Sequence, residues 1–210
     1  MKPHGLSFVD AAALPLAGLT ALQTMVKHSA TKVGKGSKVL VLGGSGGVGS
    51  LAIQIAKALG AETVAATSSN VELLKKLGAD VAINYREDDW SEKLAGQDFD
   101  LVFATVADED AAERALKVLG PKGSFIYTLQ SAKLKDENNK DKGERHYAFM
   151  LTNSRDTEGL VRIAKWAEDG LVKAELHSGK AYPFTQEGWT ALTDVLSSGR
   201  AKGKLVMDLA

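Results

Sequence analysis

Cysteine is absent from this chain of 210 residues. Without cysteine the chain has no disulfides, no thiolate nucleophile and none of the cysteine-rich clusters that hold structural zinc. It also lacks an apolar run approaching the roughly 18 residues that span a bilayer, and no basic start followed by an apolar core opens the sequence. The sequence therefore predicts a cytoplasmic protein without a membrane partner or a metal, or an organellar one whose targeting segment lies upstream.

An excess of charge of either sign is missing too, because 26 basic residues balance 26 acidic ones. Such a chain has no net field to gather a polyanion such as DNA. A nucleic-acid partner is therefore not expected. What is present is ordinary: 44% hydrophobic and 25% charged residues are typical of a folded globular protein.

Extended and helical patterns alternate from Lys38 onward, which is typical of βαβ units on a parallel sheet. Helical spacing of apolar residues predicts helices over 48–59, 70–77 and 108–119. Short apolar, β-branched runs predict strands over 38–43, 62–67, 79–84, 100–105 and 123–127. The predicted fold class is α/β, a Rossmann-type doubly wound parallel sheet with helices on both faces.

The two ends of the chain and one polar stretch complete the predicted organisation. Ser7 followed by Asp10 indicates a helix start, and Pro15 suits the first turn of a second helix that runs to about residue 28. For these leading helices, packing on the sheet and a role outside it both stay open. Further along we predict an exposed loop over 131–145, an edge strand over 145–152, a helix over 156–169, extended chain at 182–184, a helix capped by Thr185, and a last strand over 204–209.

The turn after the first strand contains G-x-G-x-x-G at Gly44, Gly46 and Gly49. It follows a buried strand and opens a helix inside a βαβ unit, which is the context that gives this motif its meaning. Glycine lets backbone N–H groups approach a pyrophosphate, and the helix N-terminus adds free donors and partial positive charge. A P-loop would need Lys where Ser50 stands, and Tyr-x-x-x-Lys of the short-chain dehydrogenases is absent. The turn therefore predicts a dinucleotide site.

The end of the second strand selects the nucleotide. It carries Ser68 and Ser69 and no carboxylate where an NAD enzyme places Asp or Glu on the ribose 2′-hydroxyl. A carboxylate there would repel a 2′-phosphate, whereas hydroxyls can donate to it. Arg86 after the third strand can add positive charge, while Lys75 and Lys76 are expected on a solvated helix face. These features favour NADPH.

Long runs of the sequence also resemble one family. These are KPHGLSFVDAAALPLAGLTALQ, VLVLGGSGGVGSLAIQIAKALGA and TSSNVELLKKLGADVAINYREDDW, with YPF at Tyr182 and GKLVM at Gly203. They resemble the zinc-independent quinone oxidoreductase, or zeta-crystallin-like, branch of the medium-chain dehydrogenase/reductase superfamily. The resemblance implies an NADPH-dependent reductase of quinones or α,β-unsaturated carbonyls that transfers hydride from the nicotinamide, and a homodimer through an edge strand near 145–152.

The resemblance also implies positions for the cofactor. The predicted cofactor-binding residues are Gly44, Ser45, Gly46, Gly47, Val48 and Gly49 at the pyrophosphate, Thr67, Ser68, Ser69 and Tyr85 at the 2′-phosphoribose, and Tyr127, Thr128 and Leu129 at the nicotinamide. No catalytic residue is assigned, because the histidines at positions 4, 28, 146 and 177 lie in no recognisable proton-transfer pattern.

The sequence departs from the family pattern in two places. Phe103–Val106 stands where the family has an Asp-Ser-Val-Gly-like turn, and the family's β-rich GroES-like domain, which forms one wall of the active site, is not recognised. We expect residues 1–28 to bridge to that domain, 29–171 to form the NADP-binding domain, and 172–210 to complete the GroES-like domain. The chain alone is then expected to reduce quinones poorly and to leave the apolar face of 11–22 partly uncovered. The alternative is a non-catalytic NADPH-binding or interaction protein.

Overall fold

The structure, a computed structural model, describes residues 2–132 and 143–209, so most of the predicted loop over 131–145 lies outside the described residues. The strands are β1 Lys38–Leu42, β2 Thr63–Thr67, β3 Val81–Ile83, β4 Phe99–Ala104, β5 Leu119–Tyr127, β6 His146–Phe149, β7 Tyr182–Pro183 and β8 Met207–Asp208. The α-helices are α1 Phe8–Ala12, α2 Pro15–Gln23, α3 Gly49–Ala58, α4 Val71–Lys76, α5 Trp90–Lys93, α6 Ala111–Arg114, α7 Thr157–Glu168 and α8 Gln186–Ser197.

The main sheet has six parallel strands in the order β3-β2-β1-β4-β5-β6, and β7 pairs with β8 separately. From β1 the chain winds outward to β3, then crosses back to β4 on the other side of β1. The order therefore reverses between β1 and β4, which opens a crevice at the carboxyl ends of these strands. The predicted Rossmann-type sheet is confirmed, and β6 lies at its edge as predicted.

Alternate residues of β1 show why the sheet carries helices on both faces. Val39 and Val41 pack in one apolar cluster with α2, α3 and α7. Leu40 and Leu42 point the other way, into a second cluster with α5 and α6. Because side chains alternate along a strand, a run that is apolar at every position must be covered on both sides.

The leading helix α2 shares the first of these clusters. Residues 17–25 are buried, and Gly18 allows α7 to approach so closely that an added Cβ would lie 3.0 Å from Ile163 Cδ1. The prediction that the apolar face of 11–22 is partly uncovered is therefore wrong for most of that stretch, although Leu16 is 64% exposed. Packing against α3 and α7 explains this helix, and its bridging role stays a prediction.

A polar cluster ties the end of α2 to the start of α7. Gln23 donates through Nε2 to the Asn153 carbonyl at 2.9 Å and to Asp156 Oδ2 at 2.8 Å. Asp156 also accepts from Lys27 Nζ at 2.6 Å and from the Gly159 N–H at 3.0 Å, so it caps α7. Hydrogen bonds from Lys27, the Gly159 N–H and Gln23 lower the pKa of the Asp156 carboxyl to about 2.

The structure departs from the predicted elements at the end of one helix, at the last strand and at a short helix that was not predicted. The helix predicted over 108–119 ends as α6 and a 3₁₀ turn, Ala115–Lys117, after which β5 already begins. The glycines of this stretch favour extended chain: a Cβ at Gly123 would lie 2.6 Å from the Phe99 carbonyl oxygen, and the register shifts beside it. The last strand is only β8, preceded by a single bridge between Leu176 and Lys204. The short helix α5, capped by Asp89, was not predicted.

Candidate functional site

A cavity of about 1110 Å³ lies at the carboxyl ends of β1 to β4, where the strand order reverses. Its walls come from the turns that follow these strands, from α5 and α6, and from the segment after α8. In chain order, the lining includes Gly43, Ser45, Gly46, Gly47, Thr67, Ser68, Ser69, Tyr85, Arg86, Trp90, Thr105, Val106, Asp108, Arg114, Leu129, Leu196, Arg200 and Lys202. We call this cavity the cleft.

The glycines of the turn after β1 have separate physical roles. At Gly44 an added Cβ would lie 2.6 Å from Leu74 Cδ2, and at Gly49 it would overlap the Gly43 carbonyl. Neighbouring atoms of the protein therefore leave no room for a side chain at these two positions. At Gly46 an added Cβ would meet only the Gly43 oxygen, at 3.4 Å. Gly46 therefore leaves its backbone approachable from the cleft, which is the position where a bound phosphate needs the smallest side chain.

The end of β2 is fastened to this turn. Thr67 Oγ1 accepts a hydrogen bond from the Gly43 N–H at 3.1 Å. Ser68 is 2% exposed, and its hydroxyl lies 2.7 Å from the Ser45 hydroxyl. Ser69 is exposed and lines the cleft. The buried hydroxyls therefore hold the turn in shape, while that of Ser69 is placed to meet a ligand.

Four basic side chains line the cleft, and one of them is locked in place. Arg114 pairs with Asp89 at 2.7 Å and with Asp108 at 3.1 Å, and its guanidinium lies 4.5 Å over the Trp90 ring. Burial acts to raise the pKa of Asp89, but hydrogen bonds from Arg114 and Ser91 hold it well below its usual range. Arg114 is thus a fixed planar cation in the wall of the cleft.

The positive charge of Arg86 and Arg200 is uncompensated. Among residues 2–132 and 143–209, neither guanidinium has a carboxylate within ion-pair distance. Tyr85, which precedes Arg86, is 54% exposed beside them. The cleft can therefore accept an anion next to the end of β2.

Residues 199–204, which we call the cover segment, lie against the glycine turn. The Gly203 N–H donates to the Ser45 carbonyl at 2.8 Å, and the Lys204 N–H donates to the Glu175 carbonyl at 2.7 Å. The alkyl chain of Lys204 lies over Gly47, where an added Cβ would be 2.6 Å from Lys204 Cδ. Burial lowers the pKa of Lys204, and within the described part of the chain its ammonium has no hydrogen-bond partner. A half-buried, unpaired cation at a glycine turn favours an anionic ligand.

The cleft brings together eight of the predicted cofactor residues: Ser45, Gly46, Gly47, Thr67, Ser68, Ser69, Tyr85 and Leu129. The other five lie nearby without lining it. Gly44, Val48 and Gly49 pack within the turn and the first cluster. Tyr127 packs its ring against Phe149, with 5.7 Å between centroids, and Thr128 donates from its N–H to the Ala104 carbonyl at 3.1 Å.

Sequence reasoning missed the cover segment and the fixed arginine. The signal for the cover segment was weak, because a run of basic residues separated by Gly and Ala is typical of any solvated stretch. Its contact with the glycine turn joins distant parts of the chain and has no local signature. Arg114 was hidden for a similar reason, since its partners Asp89 and Trp90 belong to an unpredicted helix.

The described residues contain neither a metal-binding cluster nor a helix that could span a membrane. In residues 2–132 and 143–209, no group of three or more His, Asp or Glu side chains could hold a metal ion, and the chain has no cysteine. No helix in the same ranges is both long and apolar enough to cross a bilayer.

The strand order defines a Rossmann-type α/β domain, with the cleft at the point where the order reverses. The family described as zinc-binding dehydrogenase matches residues 47–160, and the chain belongs to this family. The metal in that description has no fitting donor set among the described residues, so no chemistry is assigned to zinc here. The predicted zinc independence stays a prediction.

Named relatives confirm the resemblance to the quinone oxidoreductase group. The chain is 38% identical to 2-methylene-furan-3-one reductase of Solanum lycopersicum, covering 99% of this chain and 48% of that protein. It is 33% identical to the chloroplastic NADPH-dependent alkenal/one oxidoreductase of Arabidopsis thaliana, covering 99% and 49%. The structure of Escherichia coli quinone oxidoreductase complexed with NADPH superposes with a TM-score of 0.82 at 26% identity, covering 100% and 68%. The chain spans about half the length of the two curated relatives.

Proposed function

We propose that this chain is the nucleotide-binding part of an NADPH-dependent oxidoreductase that reduces quinones or α,β-unsaturated carbonyls. The observation that carries the proposal is the cleft: Gly46 is open to it, Arg86 and Arg200 bring unpaired charge, and no carboxylate follows β2. The names of two relatives, an alkenal/one oxidoreductase and a quinone oxidoreductase, support the substrate class.

The pyrophosphate of the nucleotide fits at the glycine turn. There the backbone of Gly46 is approachable from the cleft, and Gly47 lines it under the alkyl chain of Lys204. Hydrogen bonds to a charged group contribute about 1.5 to 3 kcal/mol each, so a few of them at this turn supply most of the affinity.

Donors for the 2′-phosphate and a platform for the adenine both lie in the wall of the cleft. Ser69, Arg86 and Arg200 line the cleft at the end of β2, where hydroxyl and guanidinium donors suit a phosphate. Arg114 has one face of its guanidinium covered by Trp90, which is 3% exposed. Its planar cation offers a platform on which an adenine ring can stack.

When NADPH is bound, the chemistry available at this site would be hydride transfer to an electron-poor carbon of the substrate. The predicted contacts of this ring are Tyr127, Thr128 and Leu129 at the end of β5, of which Leu129 lines the cleft. The chain's own residues hold and orient the nucleotide by the contacts above, and no general acid is assigned to any of them.

A selective preference for NADPH is the first expected result. NADPH should bind at least tenfold more tightly than NADH, as measured by quenching of tryptophan fluorescence. Ser69→Asp should weaken NADPH about tenfold, or roughly 1.4 kcal/mol, because an exposed carboxylate repels the 2′-phosphate through solvent. Ser69→Asn introduces a side chain of the same size as aspartate without its charge, so its NADPH affinity should stay within about twofold of the wild type. Equal affinity for the two nucleotides would contradict the NADPH assignment.

Substrate turnover tests the activity itself. We expect the 210 residues to oxidise NADPH slowly with a small quinone or an enone, and a version carrying a family-type N-terminal domain to do so much faster. The reason is positioning: holding the reacting atoms about 3 to 3.5 Å apart accounts for roughly 7 to 11 kcal/mol of barrier lowering, and it needs a second wall. Comparable turnover by both would show that the active site is already complete. NADPH binding without turnover in either would favour the alternative of a non-catalytic NADPH-binding protein.

The edge strand β6 supports a further proposal, that two copies of the chain pair into a homodimer. Among residues 2–132 and 143–209, β6 pairs only with β5, and Phe149 and Leu151 are 38% and 75% exposed. An open edge with apolar neighbours is a ready surface for a second strand. We also propose that 172–210, with its separate β7–β8 pair, belongs with a β-rich domain, as the resemblance implies.

A further inference from the structure

The cover segment is held by one side chain in addition to its backbone bonds. His177 lies two residues after Glu175, in the stretch that pairs with the cover segment, and its N–H donates to the Lys204 carbonyl at 2.9 Å. Its side chain accepts at Nδ1 from the Lys202 N–H at 3.1 Å. This second bond fixes the part of the cover segment from which Arg200 and Lys202 line the cleft.

The cover segment needs such a hold because it contains two glycines in the left-handed region. Gly199 has φ +65° and Gly203 has φ +80°. Backbone at these positions turns freely in the absence of other restraints. Between them, the bond to His177 determines where Arg200 and Lys202 point.

We propose that His177 is a positioning residue for nucleotide binding, because its imidazole holds the cover segment in the place from which Arg200 and Lys202 line the cleft. This inference rests on the proposed NADPH site. An imidazole that accepts at Nδ1 carries its proton on Nε2, so the bond from the Lys202 N–H requires this tautomer. A side chain without an acceptor at this position would leave that N–H without its partner and release the segment.

The test compares two variants with wild type by NADPH titration at pH 7.5. His177→Asn places an amide oxygen where Nδ1 was, whereas His177→Leu has no acceptor. The asparagine variant should match the wild type, and the leucine variant should bind about fivefold more weakly, the effect of one net hydrogen bond.

Hydrogen exchange at the Lys202 amide gives a second readout without any nucleotide. It should be faster in His177→Leu than in wild type or His177→Asn, at an unchanged melting midpoint. Equal exchange in all three proteins, or equal NADPH affinity in all three, would overturn the positioning role. If wild type binds no NADPH but the exchange result holds, the proposed function fails and the hold on the cover segment stands without a ligand role.

Discussion

Replacing Gly46 with alanine is expected to weaken NADPH and NADH together by about 30-fold while the protein stays folded. The added methyl would meet only the Gly43 oxygen, at 3.4 Å, so the turn has room for it. With a pyrophosphate bound there would be no room for this methyl, because it occupies the approach to the backbone donors. Losing one such charge-assisted bond costs about 2 kcal/mol, and Gly46→Val should be worse. Fluorescence titration gives the affinities, and a thermal melt gives the stability.

Two other glycines provide the controls. Gly34→Ala adds a methyl 3.9 Å from the Leu59 carbonyl and far from the cleft, so both binding and melting should be unchanged. Gly49→Ala should lower the melting midpoint, because its Cβ would overlap the Gly43 carbonyl. Normal nucleotide affinity in Gly46→Ala, with the two controls behaving as stated, would refute the placement of the pyrophosphate at this turn.

Removing the Asp156 carboxylate is expected to have the largest effect on stability. Asp156→Ala takes away the cap of α7 and leaves Gln23 Nε2 and Lys27 without their shared acceptor. Loss of a cap costs about 1 kcal/mol and an unsatisfied buried donor costs about 1 to 3 kcal/mol, so we expect a loss of about 2 to 3 kcal/mol. This corresponds to a fall of roughly 5 to 10 °C in the melting midpoint of a chain of this size.

Acid titration separates the charge of Asp156 from its capping role. Its pKa in the folded protein is about 2, below the ordinary value of 3.8. The stability it contributes is therefore complete above about pH 4 and is lost as the pH falls towards 2. Asp156→Asn keeps a capping oxygen but not the charge, so it should be less stable than wild type at pH 7 and approach it as the pH falls to 2. A difference in stability between the two proteins that does not change with pH would show that the ion pair with Lys27 contributes nothing.

The sheet and the glycine turn could be predicted because their signals are local. Residues 39–42 of β1 are all apolar, which requires cover on both faces, and glycines followed by a helical pattern mark the turn. The predicted helix over 108–119 failed because the apolar residues at 115–119 fit a helical period equally well. Only tertiary contacts, such as the approach of Gly123 to the Phe99 carbonyl, decide that the chain is already extended there.

The cleft could be predicted only in part, for a related reason. Ser68, Ser69 and Tyr85 follow strands whose ends meet at the crevice, so their positions follow from the fold class. Arg200 and Lys202 reach the same crevice through a pairing of Gly203 with Gly46 that depends on the path of the whole chain. That Gly44 and Gly49 pack while Gly46 stays open is likewise a matter of neighbours, since all three match one motif.

The contact between Gly203 and Ser45 also sets an order of events during synthesis. The glycine turn leaves the ribosome early, yet the backbone that covers it is translated more than 150 residues later. At about 5 to 20 residues per second, the nascent chain holds an incomplete cleft for roughly 10 to 30 s. A ribosome-bound chain stalled before residue 199 should therefore form much of the parallel sheet and still retain NADPH poorly. The proposed nucleotide site is therefore complete only after translation of the cover segment.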